Sequence, residues 1–270
     1  MEEAYDAYPR IEERFLTELD ESLQARGSDM LYDVVAGLSL PIDSIVLDVG
    51  CGEGRQAVAL AQRFGFTVTG IDPVGRNLEL AAAELAEVAS TSADLRARVR
   101  FELGRAESLP ADDGTVDLVW SKDVLGLVPG VDRAYCEFAR VLRSGGRAVI
   151  YQSCFATDGL TEQDLDTVSG GLDVPRENMD SAHTESAIAA AGLHVDACFD
   201  VGLEWGEHNQ EYRGTGGRRL LHAARLLRDP ERYIGRFGRW AYDIMLADCY
   251  WHVFRMLGKL GERVYVLTRP

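Results

Sequence analysis

The sequence is short of cysteine, histidine, proline and positive charge. Its 270 residues hold five Cys, five His and eight Pro. The cysteines (Cys51, Cys136, Cys154, Cys198 and Cys249) are odd in number and no two have CxxC spacing. That pattern excludes a disulfide framework and suggests no zinc site, so no metal is expected. Scattered thiols of this kind fit a cytoplasmic location. Against 44 Asp and Glu stand only 28 Lys and Arg, for a net charge of -16. So acidic a surface repels a phosphate backbone, and nucleic acid is set aside as a partner. No apolar run approaches the ~20 residues of a membrane span. The opening MEEAYDAYPRIEERF lacks the apolar stretch of a signal peptide, so no membrane partner is expected either.

What is present is an alternation. SIVLDVG (44–50), FTVTGID (66–72), RVRFELG (98–104), TVDLVWS (115–121) and RAVIYQS (147–153) read as strands covered on both faces. Between them lie the helical stretches RQAVALAQRFG (55–65), NLELAAAELAEVA (77–89) and VDRAYCEFARVLR (131–143), the last ended by Gly145-Gly146. Strand and helix in turn, with short connections, predict a doubly wound, mostly parallel α/β sheet. Helices are expected at 9–25 and 28–38. The acidic segment 156–180, with Gly170-Gly171 and Pro175, reads as an excursion or lid. A helix at 184–192, a sixth strand at 193–202 and a mainly helical stretch at 218–260 follow. GERVYVLTRP (261–270) is expected to be a closing strand at the sheet edge.

The residues with most chemical meaning are Val46-Leu47-Asp48-Val49-Gly50-Cys51-Gly52-Glu53-Gly54. Strand, glycine-rich turn and helix start bring backbone N–H groups close to a ligand. The third glycine comes one residue too early for the dinucleotide pattern GxGxxG. Asp72 ends the second strand about twenty residues on, where a carboxylate can accept both hydroxyl hydrogens of a ribose.

DVGCGEG resembles motif I of the class I S-adenosylmethionine-dependent methyltransferases. Gly104-Arg105-Ala106-Glu107-Ser108-Leu109-Pro110 is similar to the family's adenine-contacting G-D-A-x-x-L-P, with Arg105 in place of Asp. Trp120-Ser121-Lys122-Asp123-Val124-Leu125 stands where the family's cofactor meets its acceptor. RVLRSGGRAVIYQ resembles the R-V-L-K-P-G-G strand entry, with Ser144 for Pro. The resemblance runs from 44 to 153. It implies a seven-stranded Rossmann-like fold with an antiparallel C-terminal edge strand and added helices. It also implies one domain over 1–270, made of a cofactor core (44–153), an N-terminal helical lid (1–43) and acceptor-binding insertions (154–260). Asp48, Gly50, Cys51, Gly52, Gly54, Asp72, Pro73, Ala106, Glu107, Ser121, Lys122 and Asp123 would hold S-adenosylmethionine. Tyr5 and Tyr8 would close over it, although a loose tail explains them nearly as well.

The acceptor side is less defined. Relatives acting on oxygen or nitrogen often carry a histidine just after the Ser-x-Asp motif, and here Gly126-Leu127-Val128 has none. Trp205, Glu207 and His208, after the sixth strand, are the catalytic candidates: an aromatic face for a cation and two side chains able to move a proton. A buried structural network explains them about as well. Arg213, Arg218, Arg219, Arg225, Arg228, Arg232, Arg236 and Arg239 face only Asp229 and Glu231 in their stretch. They form either a solvated helix face or a site for an anionic acceptor such as a prenyl diphosphate. The expected partner is a small-molecule acceptor of specialised metabolism. A homodimer, and a non-methylating reaction such as cyclisation, stay open.

Overall fold

The computed structural model describes residues 2–21, 26–88 and 92–270. Seven strands form one sheet in the order β3-β2-β1-β4-β5-β7-β6: β1 (Ile45–Val49), β2 (Thr67–Asp72), β3 (Val99–Leu103), β4 (Val116–Lys122), β5 (Leu142–Ala156), β6 (His194–Asp200) and β7 (Leu260–Thr268). The first five strands pair in parallel, and β7 runs antiparallel to both β5 and β6. The C-terminal strand is thus antiparallel as expected, but it lies inside the sheet and β6 takes the edge.

Twelve helices surround the sheet among the described residues: α1 (Glu2–Glu21), α2 (Met30–Gly37), α3 (Arg55–Phe64), α4 (Gly75–Val88), α5 (Ala93–Arg98), α6 (Val131–Val141), α7 (Glu162–Leu172), α8 (Ser181–Ala190), α9 (Glu204–Arg213), α10 (Thr215–Arg228), α11 (Pro230–Phe237) and α12 (Arg239–Met256). α6 shows why the sequence folds this way. Val131, Ala134, Tyr135, Phe138 and Val141 recur at helical spacing and all are buried. Each large side chain among them contributes roughly 1.5–3 kcal/mol. The face carrying α6 and α8 buries Tyr135, Phe138 and Ile188 against the sheet. The opposite face, with α2, α3 and α9, buries Leu31, Leu60, Trp120 and Trp205.

One expectation needs correction, and two helices were not expected. The glycine pair Gly145-Gly146 does not end α6, which stops at Val141; it lies within β5. Segment 156–180 contains a regular helix, α7, started by a capping box in which Thr161 and Asp164 bond each other's backbone N–H. α5, capped by the Ser92 hydroxyl, precedes β3 where no helix was expected.

Strand order reverses direction between β1 and β4, and the carboxyl ends of those strands form the crevice that such sheets use for ligands.

Candidate active site

The turn after β1 is tied to its neighbour strand: the N–H groups of Gly50 and Cys51 both donate to the Ile71 carbonyl, at 2.7 and 3.0 Å. Gly50, Gly52 and Gly54 all have positive φ. A β-carbon on Gly50 would overlap the Val124 side chain, and one on Gly54 would come within 2.6 Å of Phe101. Gly52 (φ 51°) has open space beside it. At the end of β2, Asp72 Oδ2 accepts the Gly52 N–H at 2.9 Å. Its Oδ1 accepts the Val74 N–H at 2.9 Å and the Asn77 side-chain amide at 3.1 Å.

A cavity of about 230 Å³ opens against this turn. Gly50, Asp72, Pro73, Ala106, Glu107 and Asp123 line it, all expected from the sequence. Asn77 and Leu127 line it without having been expected. Asp48 lies beneath, fully buried. Its Oδ2 has no hydrogen-bond partner among the described residues, and burial pushes its carboxyl up to about 7 against the pull of the Ala57 N–H and Lys122. Ser121 is buried and donates to the Val49 carbonyl at 3.2 Å. Lys122 turns toward Trp205, 5.1 Å from its ring centroid.

A second cavity, of about 260 Å³, adjoins the first and shares Asp123 and Leu127 with it. β5 (Gln152, Ser153, Cys154), the stretch ending α7 (Leu172, Val174) and α12 (Asp248, Trp251) complete its wall. Asp123 sits here in the left-handed region at φ 59°, a conformation that Asp tolerates and that recurs at functional sites. The Ser153 hydroxyl donates to its Oδ1 at 2.5 Å. Burial raises the Asp123 carboxyl above the ordinary range, opposed by Arg255, Ser153 and Lys122. Arg255 itself is buried among the Glu262 carboxylate and the Tyr151 hydroxyl.

Comparison with known proteins places this geometry. A model described as a methyltransferase domain matches residues 47–150. The 27-O-demethylrifamycin SV methyltransferase of Amycolatopsis mediterranei is 36% identical over 71% of this chain and 71% of its own length. The chain belongs to the class I S-adenosylmethionine-dependent methyltransferases. Methyltransferase GfsG of Streptomyces halstedii is 35% identical over 48% of this chain. The chain spans about half the length of that relative and of several others, 45% for GfsG. Among solved structures, the geranyl diphosphate C-methyltransferase of Streptomyces coelicolor shares the fold: TM-score 0.68 at 17% identity, covering 90% of this chain and 76% of that one.

The residues fit the cofactor of these methyltransferases. The open side of Gly52 admits a ligand against the backbone, and the partnerless Asp48 oxygen suits a cationic methionine end. Asp72 keeps a lone pair beyond its three N–H donors for the ribose.

The remaining candidates lie elsewhere. Trp205 is buried on the far face, edge-on to Tyr151 with centroids 4.1 Å apart. His208 packs at a tilt against Tyr212, and a β-carbon on Gly27 would lie 2.6 Å from its Nε2. Neither of these, nor Glu207, lines either cavity. Arg219 pairs with Asp248 at 2.6 Å, while Arg218 and Arg225 are exposed. Tyr8 is exposed and donates to Glu12 at 3.3 Å; the Tyr5 side chain lies outside the described residues. Among the described residues, no helix is long and apolar enough to cross a membrane.

Proposed function

We propose that the protein methylates a hydroxyl oxygen of a small, uncharged acceptor held beside Asp123, with Asp123 as the general base. The observation that carries this is the position of Asp123 in the shared wall of the two cavities, one suited to the donor and one free for an acceptor. S-adenosylmethionine supplies an activated methyl group on its sulfonium. Ser153 fixes the Asp123 carboxylate by donating to Oδ1, which leaves Oδ2 to take the proton of an acceptor O–H. Gly126 and Leu127 would contact the acceptor from the turn after β4.

Among the described residues, two carboxylates and no cationic side chain line the acceptor cavity, which supports an uncharged acceptor over a prenyl diphosphate. The arginines beside it are already committed, Arg219 to Asp248 and Arg255 to Glu262. The test is incubation with methyl-labelled S-adenosylmethionine and a panel of hydroxylated acceptors. Label should move to the acceptor oxygen, and Asp123→Asn should lower kcat about 10²- to 10⁴-fold. Acceptor conversion without label transfer would replace methylation by a cyclisation-type reaction. An unchanged rate in Asp123→Asn would remove the base from the proposal.

A further inference from the structure

We propose that α1 is a docking arm: its apolar stripe fills the groove between α10, α11 and α12 of a second copy of this chain, whose own α1 fills the groove of the first. On α1, Tyr8, Ile11, Phe15 and Leu16 recur at helical spacing, and each is at least half exposed. The groove is a cavity of about 460 Å³ lined by Leu226, Tyr233, Phe237 and Met245, with His222 and Arg225 among them. Phe237 and Met245 are exposed, and so is Trp240 between them in the chain. Single exposed hydrophobics are ordinary, whereas a stripe and a lined groove mark surfaces for contact.

Charge selects the occupant. The α1 sequence carries eight Asp and Glu against Arg10 and Arg14. The stretch from Arg213 to Arg239 carries eight Arg against Asp229 and Glu231, in a chain of net charge -16. Arg219 and Arg239 are paired, with Asp248 and Asp243. Among the described residues, Arg225, Arg228, Arg232 and Arg236 are exposed and have no carboxylate partner. An acidic helix with an apolar stripe thus meets a basic groove with an apolar floor, a complementary pair of the helix-in-groove kind. Both surfaces are open in one molecule, so the chain's own α1 does not occupy its own groove. Each copy carries one of each, and mutual exchange closes the assembly at two. The chain leaves α1 beside α9, where Arg26 donates to Glu204 at 2.7 Å, and α10 packs on α9. Arm and groove share that neighbour, which lets one two-fold axis serve both contacts.

Sedimentation equilibrium on the full chain tests this. The parent should be a dimer whose affinity falls at least tenfold as salt rises from about 0.1 to about 1 M, because screening weakens the charged contacts. Two charge reversals locate the surfaces. One is Glu12→Arg, Glu18→Arg, Asp20→Arg and Glu21→Arg on α1; the other is Arg225→Glu, Arg228→Glu, Arg232→Glu and Arg236→Glu around the groove. Either variant alone sets like charges face to face and should be monomeric. An equimolar mixture restores opposite charges at both contacts and should dimerise. All these side chains are exposed, so the fold should persist, as circular dichroism would show. Should a reversal unfold the chain, Phe15→Ser on the stripe and Phe237→Ser in the groove carry the test, each weakening the dimer at least tenfold. A parent that stays monomeric at submillimolar concentration, a dimer that survives either reversal or both serine variants, or a mixture that stays monomeric would each overturn the inference.

Discussion

The Asp72 carboxylate accepts the Gly52 N–H at 2.9 Å, joining the end of β2 to a turn twenty residues earlier in the chain. One side chain thus shapes the turn and lines the cavity that opens against it. Asp72→Ala should lower affinity for S-adenosylhomocysteine by about ten- to a hundredfold, the usual range for lost hydrogen bonds to a charged group. Calorimetry reads this directly, and an undiminished affinity would contradict the assignment of the sugar to Asp72.

Asp48 should make donor binding depend on pH. Its buried carboxyl titrates at about 7, well above the reference 3.8. A cationic donor prefers the carboxylate, so affinity should weaken as pH falls from 8 to 6. The folding linkage runs the other way. A carboxyl whose folded pKa is raised favours the fold at low pH, and that contribution is lost as pH rises through about 7. Asp48→Asn should therefore be more stable than the parent at pH 8, by roughly 2–4 kcal/mol, with the gain gone near pH 4. Its donor affinity should be low and nearly flat with pH. Urea titrations at the two pH values check the first part, and a stability gain that does not change with pH would refute it.

Asn178 should matter to both ligands although it lines neither cavity. Its side-chain amide donates to the carbonyls of Leu125, Gly126 and Val128, at 3.2, 3.1 and 2.9 Å. This holds the 3₁₀ turn Leu125–Leu127, whose Leu127 lines both cavities. Asn178→Ala should cost about 2–4 kcal/mol of stability by leaving those carbonyls unpaired. It should also raise the KM for donor and acceptor together. A change confined to one of them would show that the turn does not depend on Asn178.

The donor half of the site was legible in the sequence because its chemistry is local. β1 places four buried residues beside three glycines, and a carboxylate stands at a fixed distance along the chain. The acceptor half was not. Asp123, Gln152, Leu172 and Trp251 come from four separate segments, and only folding brings them to one cavity. Asp123 was read as a donor contact; its place in both walls depends on how β5 and α12 pack. Trp205, Glu207 and His208 drew attention by their density in the sequence, yet nothing in that spacing reveals which face of the sheet α9 covers. α7 escaped notice because its acidic residues and Gly170-Gly171 obscure the helical spacing of Leu165, Val168 and Leu172. The interior place of β7 is likewise a matter of pairing partners, which a strand's own residues do not encode.

That interior place has a kinetic consequence. β7 bonds to β5 along most of its length, yet about a hundred residues, β6 among them, separate the two. Until β7 arrives, β5 keeps an unpaired edge and β6 has no neighbour to join. Contacts this distant in the chain form slowly, and an open strand edge invites pairing with another molecule in the meantime. Refolding yield should accordingly drop with protein concentration well before native stability does.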